Sequence, residues 1–325
     1  MRSKKLGIVG FGAMGKNHLR VAKELSNVDL VGIADKDPSI FKSLLIKSNI
    51  PTFECYEKMI KDCKPDCLII AAPTKAHYSV ASFALKSGID VLIEKPISYC
   101  LEEAETLIDL ALNNQCILTV GHVERFNPAI LALKEKISQG DLGKIFTISC
   151  KRASPFPLRI QDVGVSLDLA THELDIMTFL ANSGIRSIKS EFDQRINKEN
   201  EDSVLGFLRF ENDILGLVDV NWLSPLKIRE LLVTGERGAF KVDYLTQDLY
   251  FYQNRAFQED LESNSWDLTI KAGNMIRYEI DRQEPLKKEL EAFINSSLQR
   301  KYIDQIATGK DGLKALELAL KLIEK

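Results

Sequence analysis

From residue 6 to residue 121 the chain repeats one unit: a short apolar run, then a longer stretch whose apolar positions recur at helical spacing. The runs fall at 6–10, 30–35, 67–72, 91–94 and 117–121, and the amphipathic stretches at 13–25, 38–47, 56–63, 75–86 and 101–113. Because the runs do not alternate with polar residues, they predict parallel strands covered by helices on both faces. Pro38 and Pro128 stand at first helical turns, where a missing N–H costs nothing, and Gly88 and Gly121 close their segments.

Beyond residue 127 the spacing changes. A helix is predicted over 128–138, and Gly140 and Gly143 lead into a strand over 145–151. A loop rich in proline and arginine, from Ser154 to Asp162, precedes a helix over 165–180. Strand candidates follow at 188–195, 204–210, 215–222, 230–234, 239–244, 249–252 and 267–271, and helices over 285–296 and 311–324 end the chain. Strands without intervening helices predict an antiparallel or mixed sheet. The fold expected is α/β, an N-terminal doubly wound parallel sheet over 1–121 followed by an α+β domain with an open, largely antiparallel sheet over 122–325.

Composition agrees with that division. At 325 residues two domains are the better expectation. With 45% apolar and 27% charged residues the chain can bury a sizeable core. A net charge of −3 lacks the basic footprint of a nucleic-acid binder. No apolar stretch approaches the roughly 18–20 residues that span a bilayer, so no membrane partner is expected. The basic start, Met1 to Lys5, runs into the first apolar strand and is not read as a signal peptide. Cys55, Cys63, Cys67, Cys100, Cys116 and Cys150 lack zinc spacing and read as thiols of a cytoplasmic protein, with no metal expected.

The first strand ends in Gly10-Phe11-Gly12-Ala13-Met14-Gly15 and opens a helix, the context in which such a turn binds a dinucleotide. Gly10 permits the tight turn, Gly12 lets the pyrophosphate approach, and Gly15 allows close helix–strand packing. The helix N-terminus supplies N–H groups and a positive dipole end. Asp35 ends the second strand, where a carboxylate binds the ribose 2′-hydroxyl and repels a 2′-phosphate, favouring NAD over NADP. Lys36 beside it weakens that preference. The loop Ala72-Pro73-Thr74 is expected near the nicotinamide ribose. His77 reads either as a ribose or pyrophosphate contact or as a surface histidine at a helix start, and His18 as a packing or surface residue.

Glu94-Lys95-Pro96 closes a later strand of the same domain, so Glu94 and Lys95 fall where the reactive end of the cofactor lies. Asp168 and His172, at i and i+4, share one helical face. Cofactor, ammonium and imidazole together read as a dehydrogenase acting on an alcohol. A neutral imidazole such as His172 suits removal of the hydroxyl proton. Lys95 either donates to the developing alkoxide or is itself the base. Asp168 orients His172 or binds a sugar hydroxyl, and Asp175 shares the face.

These motifs, in this order and spacing, resemble the glucose-fructose oxidoreductase/inositol dehydrogenase/MocA family over essentially the whole chain. The stretches 121–129 and 159–175 are most similar to the branch that oxidises UDP-N-acetylglucosamine at C3. The resemblance implies a Rossmann domain and NAD. It also implies a 3-keto product passed to a pyridoxal-phosphate aminotransferase for 3-amino sugars of lipid A or surface polysaccharide. Arg125 and Asn127 stand at the domain junction, and Arg152 and Arg159 flank the proline-rich loop. Guanidinium groups there suit a UDP pyrophosphate. An apolar open sheet face should not stay in water, and the family carries homo-oligomers, so a dimer or tetramer is expected. The rival readings are a family dehydrogenase for a cyclitol, a free sugar or a UDP-sugar uronate, and a non-catalytic NAD-binding regulatory protein.

Overall fold

Six strands form a parallel sheet: β1 (Lys4–Val9), β2 (Val28–Ala34), β3 (Thr52–Phe53), β4 (Cys67–Ile70), β5 (Asp90–Glu94) and β6 (Leu118–Gly121). Their order, β3-β2-β1-β4-β5-β6, reverses between β1 and β4 and so opens a crevice at the carboxyl ends. The structure is a computed structural model that describes residues 3–41, 49–157, 163–254, 272–303 and 305–324. Helices α1 (Ala13–Ala22), α2 (Tyr56–Cys63), α3 (Thr74–Lys86) and α4 (Leu101–Asn113) alternate with the strands. All residues of β4 and β6 are buried, as expected of strands covered on both faces.

The chain divides into two compact units that interleave in sequence. The first takes in Met1–Phe126, Ile160–Asp175 and Glu284–Leu320, and the second Asn127–Arg159, Ile176–Gln283 and Lys321–Lys325. A single cut after Gly121 therefore does not describe the packing. Two late helices, labelled α7 (Pro285–Gln299) and α8 (Gly309–Lys321) because α5 (Pro128–Ser138) and α6 (Thr171–Ala181) precede them, belong with the first unit. Leu290, Phe293 and Ile294 of α7 share a core with Leu6 and Ile8 of β1 and Leu19 of α1. Burying each such side chain contributes about 1.5–3 kcal/mol, which is why α7 docks there despite its distance in sequence.

In the second unit, eight strands run in the order β14-β13-β12-β11-β7-β10-β9-β8. They are β7 (Ile145–Ala153), β8 (Ile185–Asp193), β9 (Ser203–Phe210), β10 (Leu215–Asn221), β11 (Ile228–Gly235), β12 (Gly238–Asp243), β13 (Asp248–Asn254) and β14 (Ala272–Tyr278). Among the described residues of this sheet only β7 and β10 pair in parallel. Burial alternates residue by residue along β9, β10 and β12, so one face is core and the other open.

Three stretches depart from the expectation or fall outside the described residues. The stretch predicted as a helix over 38–47 begins with a 3-10 turn, Pro38–Phe41, and continues outside the described residues. Strand β3, two residues long, carries too little pattern to be foreseen. The strand predicted over 267–271 lies outside the described residues, while β14 opens with Ala272-Gly273-Asn274, which reads as a turn. No helix of the described residues is long and apolar enough to cross a membrane.

Candidate active site

The glycine turn after β1 fits a dinucleotide. Gly10 has φ 89°, a left-handed value that a Cβ would strain, and a Cβ there would strike the backbone of Ala71 and Ala72. A Cβ on Gly15 would meet the Gly10 carbonyl, so the helix can approach its strand only without one. At Gly12 nothing lies within 4 Å of the Cβ position, which leaves room for a phosphate against the backbone. The first turn of α1 has neither a capping side chain nor an acidic residue. Its first N–H groups and positive dipole end therefore suit an anion.

Phe11 turns inward against Phe41, with ring centroids 6.0 Å apart. Its N–H donates to Asp35 Oδ2 at 2.6 Å, and the Asp37 N–H donates to Asp35 Oδ1 at 2.9 Å. Asp35 and Lys36 line a cavity of about 460 Å³ together with Gly10, Ala72, Pro73 and Lys75. The turn after β1, the acid after β2 and the loop after β4 thus converge on one space.

His77, in the first turn of α3, is buried. Its Nδ1 lies 2.8 Å from the Pro96 carbonyl and its Nε2 2.9 Å from the Ala72 carbonyl. The ring ties the loop after β4 to the loop after β5, so the surface alternative does not hold. His18 is fully buried and meets Glu94 at 2.7 Å. Burial alone would raise the Glu94 carboxyl, but the His18 hydrogen bond and charge, with Lys95 and His77, hold it below the usual range. Glu94 is thereby an anchored anion directly before Lys95.

The Lys95–Pro96 peptide is cis. Lys95 Nζ donates to the Asp168 carboxylate at 2.8 Å and to the Asp168 carbonyl at 2.7 Å. Both side chains keep some exposure, 14% and 17%, as groups that must meet a ligand require. An ammonium has three donors, so one remains for a ligand. The regular helix expected over 165–180 is instead a π-helical turn, Ser166–Ala170, followed by α6. A π turn closes i→i+5, so Asp168 and His172 do not stack as an α-helical i, i+4 pair. The Asp168 carboxylate turns to Lys95.

His122, one residue beyond β6, lies edge-on to His172 with centroids 6.5 Å apart. Burial lowers its pKa against the opposing pull of Asp175, whose Oδ2 is 3.9 Å from His122 Nδ1. Asp175 itself grips Arg125 at 2.8 and 2.6 Å, and Asp311 adds a contact at 3.1 Å. Burial works against the Arg125 charge, but Asp175 and Asp311 outweigh it and raise the pKa further. The guanidinium expected to reach substrate is thus engaged by two carboxylates inside the first unit. His122 and Asp311 were missed. His122 follows a strand end, as Asp35 and Lys95 do, and that rule of place could have found it; Asp311 has no comparable signal.

Of the other expected anchors, two belong to the second unit and one falls outside the described residues. Asn127 caps α5, accepting from the Ala129 N–H and donating to the Tyr244 carbonyl, each at 3.1 Å. Arg152 is 2% exposed, its guanidinium 5.7 Å from the Tyr244 ring centre. Arg159 lies outside the described residues. Among the described residues no three His, Cys, Asp or Glu side chains are grouped to hold a metal. Burial pushes the Cys67 thiol up to about 12 and the Cys116 thiol to about 11, which keeps both protonated and unreactive.

Comparison with known proteins places this geometry. A family model described as an oxidoreductase family with an NAD-binding Rossmann fold matches residues 4–122, and one described as the GFO/IDH/MocA C-terminal domain matches residues 130–241. A UDP-N-acetylglucosamine 3-dehydrogenase from Acidithiobacillus ferrooxidans is 23% identical over 98% of this chain and 96% of its own length. Its solved structure superposes with a TM-score of 0.85 at 22% identity, over 99% of this chain and 97% of that one. The WlbA dehydrogenase from Bordetella pertussis, solved with NADH and UDP-GlcNAcA, gives 0.80 at 20% identity over 99% and 95%. An inositol 2-dehydrogenase/D-chiro-inositol 3-dehydrogenase from Lactiplantibacillus plantarum is 28% identical, over only 57% of this chain and 54% of its own. With both halves of the chain matched and a dinucleotide cradle beside an ammonium–carboxylate pair, the chain belongs to the GFO/IDH/MocA family and is an NAD-dependent dehydrogenase.

Proposed function

We propose that the protein oxidises a secondary alcohol of a sugar nucleotide, UDP-N-acetylglucosamine at C3, with NAD as acceptor. The observation that carries the chemistry is the Lys95–Asp168 pair at 2.8 Å, beyond the carboxyl end of β5 and followed in chain by His172. The near full-length likeness to a UDP-N-acetylglucosamine 3-dehydrogenase supports the substrate. In this reading His172 takes the hydroxyl proton, while Lys95 directs its remaining donor to the oxygen as negative charge develops there. Asp168 holds Lys95 in place through its carboxylate and its carbonyl. NAD, when bound, supplies the acceptor for the hydride leaving the same carbon. Arg125 acts through Asp175 by fixing the helix that bears His172, and with Arg152 buried, Arg159 remains the candidate for the pyrophosphate.

The 3-keto product would be consumed by a pyridoxal-phosphate aminotransferase making amino sugars for lipid A or surface polysaccharide, in the cytoplasm. Homo-oligomerisation through the open face of the eight-stranded sheet completes the reading. Leu205, Phe207, Leu217, Leu232, Tyr252 and Met275 stand exposed there beside the ion pairs Lys151–Asp219 and Lys241–Glu230, apolar side chains that a lone subunit would leave in water. The inositol dehydrogenase likeness favours a second reading, oxidation of a cyclitol.

A panel of UDP-sugars, inositols and free hexoses with NAD, each with a coupled aminotransferase, separates the two. Turnover of UDP-N-acetylglucosamine to a C3 ketone is expected, and His172→Asn should remove the acid limb of its rate profile. Clear activity on inositol with none on UDP-N-acetylglucosamine would overturn the substrate. Binding of NAD with no turnover anywhere in the panel would favour the regulatory reading.

A further inference from the structure

Glu289 is a buried carboxyl group without a partner among the described residues. It lies on the inward face of α7 between Leu286, Leu290 and Phe293, positions where apolar side chains pack, and is 1% exposed. Among the described residues neither of its oxygens has a hydrogen-bond partner. The charged groups around it are carboxylates from three elements: Glu94 of β5, Asp175 of α6 and Glu124 of the 3-10 turn Val123–Phe126. Helix α7 packs against that turn and against α1.

Most cations on these elements are engaged: on α7 itself Lys287 pairs with Glu24 and Lys288 with Glu291, while Lys16 of α1 lies over the Phe11 ring. His18 of α1 holds Glu94, Arg125 of the turn holds Asp175 and Asp311, and Lys95 after β5 holds Asp168. Arg20 of α1 is exposed and pairs with Glu284. A charge on Glu289 would be buried, uncompensated and repelled from three sides, whereas the neutral acid carries only the cost of unmet polar atoms.

We propose that Glu289 is a positioning residue that carries its proton at neutral pH, and that its ionisation disarranges Lys95 and His172 and sets the alkaline limit of turnover. The inference rests on reading Lys95 and His172 as the reacting pair. An anion at 289 would push on Glu94, which anchors the strand end before Lys95. It would push equally on Asp175, which fixes Arg125 one turn beyond His172. Two carboxylates, one next to Lys95 in the chain and one three residues after His172, would thus be displaced by the same event. Burial first, then the charges of Glu94, Asp175 and Glu124, drive the Glu289 carboxyl well above the usual range.

The sign follows. A carboxyl raised in the folded state contributes stability fully below its unfolded value, about 4.3, and loses it as pH rises through the folded value. Infrared spectra of the NAD-bound protein should show a protonated-carboxyl stretch at pH 7 that Glu289→Gln removes. As pH is raised through the folded value, the band and turnover should fall together in the wild type, after the thermal midpoint has already declined from about pH 4.3 upward. Turnover is read with UDP-N-acetylglucosamine or, if the panel selects it, inositol.

Glu289→Gln, a neutral near-isostere, should keep turnover at pH 7 within about threefold, far from the 10²–10⁴-fold loss of an acid–base group, and should not show the alkaline fall. Absence of the band at pH 7, or an unchanged alkaline fall in the Gln variant, would overturn the proposal. So would a hundredfold loss at pH 7, which would make Glu289 a reacting group. The infrared and thermal readings need no substrate, so failure here is distinguishable from a wrong substrate.

Discussion

In the six-stranded sheet every side chain of β4 and β6 is buried, whereas in the eight-stranded sheet β9 and β10 bury only alternate residues. On the function proposed above, the difference assigns chemistry to one sheet and association to the other. A sheet covered on both faces offers ligands only its strand ends, and there the first unit gathers Asp35, Glu94, Lys95 and His122. Charges at such partly or fully buried places must be paired, and His18–Glu94, Lys95–Asp168 and Arg125–Asp175 are. The open sheet has a spare face instead, with Phe207 65% and Met275 58% exposed. That face suits contact with another subunit better than catalysis.

If this contrast holds, changes at the first sheet's strand ends alter chemistry and changes on the open face alter assembly alone. The largest effect is expected for Lys95→Ala. Turnover should fall roughly 10²–10⁴-fold, about 3–5 kcal/mol of barrier, while calorimetry shows NAD binding nearly intact. Turnover within threefold of wild type would reduce the Glu94-Lys95-Pro96 turn to a structural role.

Arg125→Leu should leave Asp175 without its partner and cost about 3–5 kcal/mol in urea unfolding, as breaking a buried ion pair does. Arg125→Lys, which keeps the charge, should recover part of that stability. If the Lys variant is as stable as wild type yet raises KM strongly, Arg125 touches substrate after all. Asp35→Ser should narrow the preference for NAD over NADP by about tenfold, near 1.4 kcal/mol. Equal wild-type affinity for the two cofactors would remove that assignment.

The smallest change in subunit stability is expected on the open face. Phe207→Lys should shift stability by no more than about 0.5 kcal/mol, as surface substitutions do, while light scattering shows a smaller assembly. A lost turnover with the assembly unchanged would break the contrast, because the open face would then bear on chemistry.

Much of this was legible because strand ends are places the sequence marks. Runs such as Cys67 to Ile70 and Val91 to Ile93 are apolar throughout, so the residues that end them, Pro73 and Lys95, were located without coordinates. The glycine turn was equally plain, since Gly10 and Gly15 answer to backbone geometry that admits no side chain. The arginines were not legible. Nothing in the neighbourhood of Arg125 says that Asp311, 186 residues later, will share its guanidinium. A guanidinium that binds phosphate and one that binds carboxylates look the same in sequence.

The sequence by itself determined the class of each domain, the glycine turn of the cofactor cradle and the place of Lys95 at a strand end, because periodicity, glycine and strand termini are local properties of the chain. Only the tertiary structure decided which charges are engaged by one another. Pairing depends on which helices return to the first unit, and α7 and α8 return from the far end of the chain. It also decided that Asp168 serves Lys95, because the π turn Ser166–Ala170 breaks the spacing that an ordinary helix would impose. Buried charge is settled by distance and solvent exclusion, and neither is written in residue order.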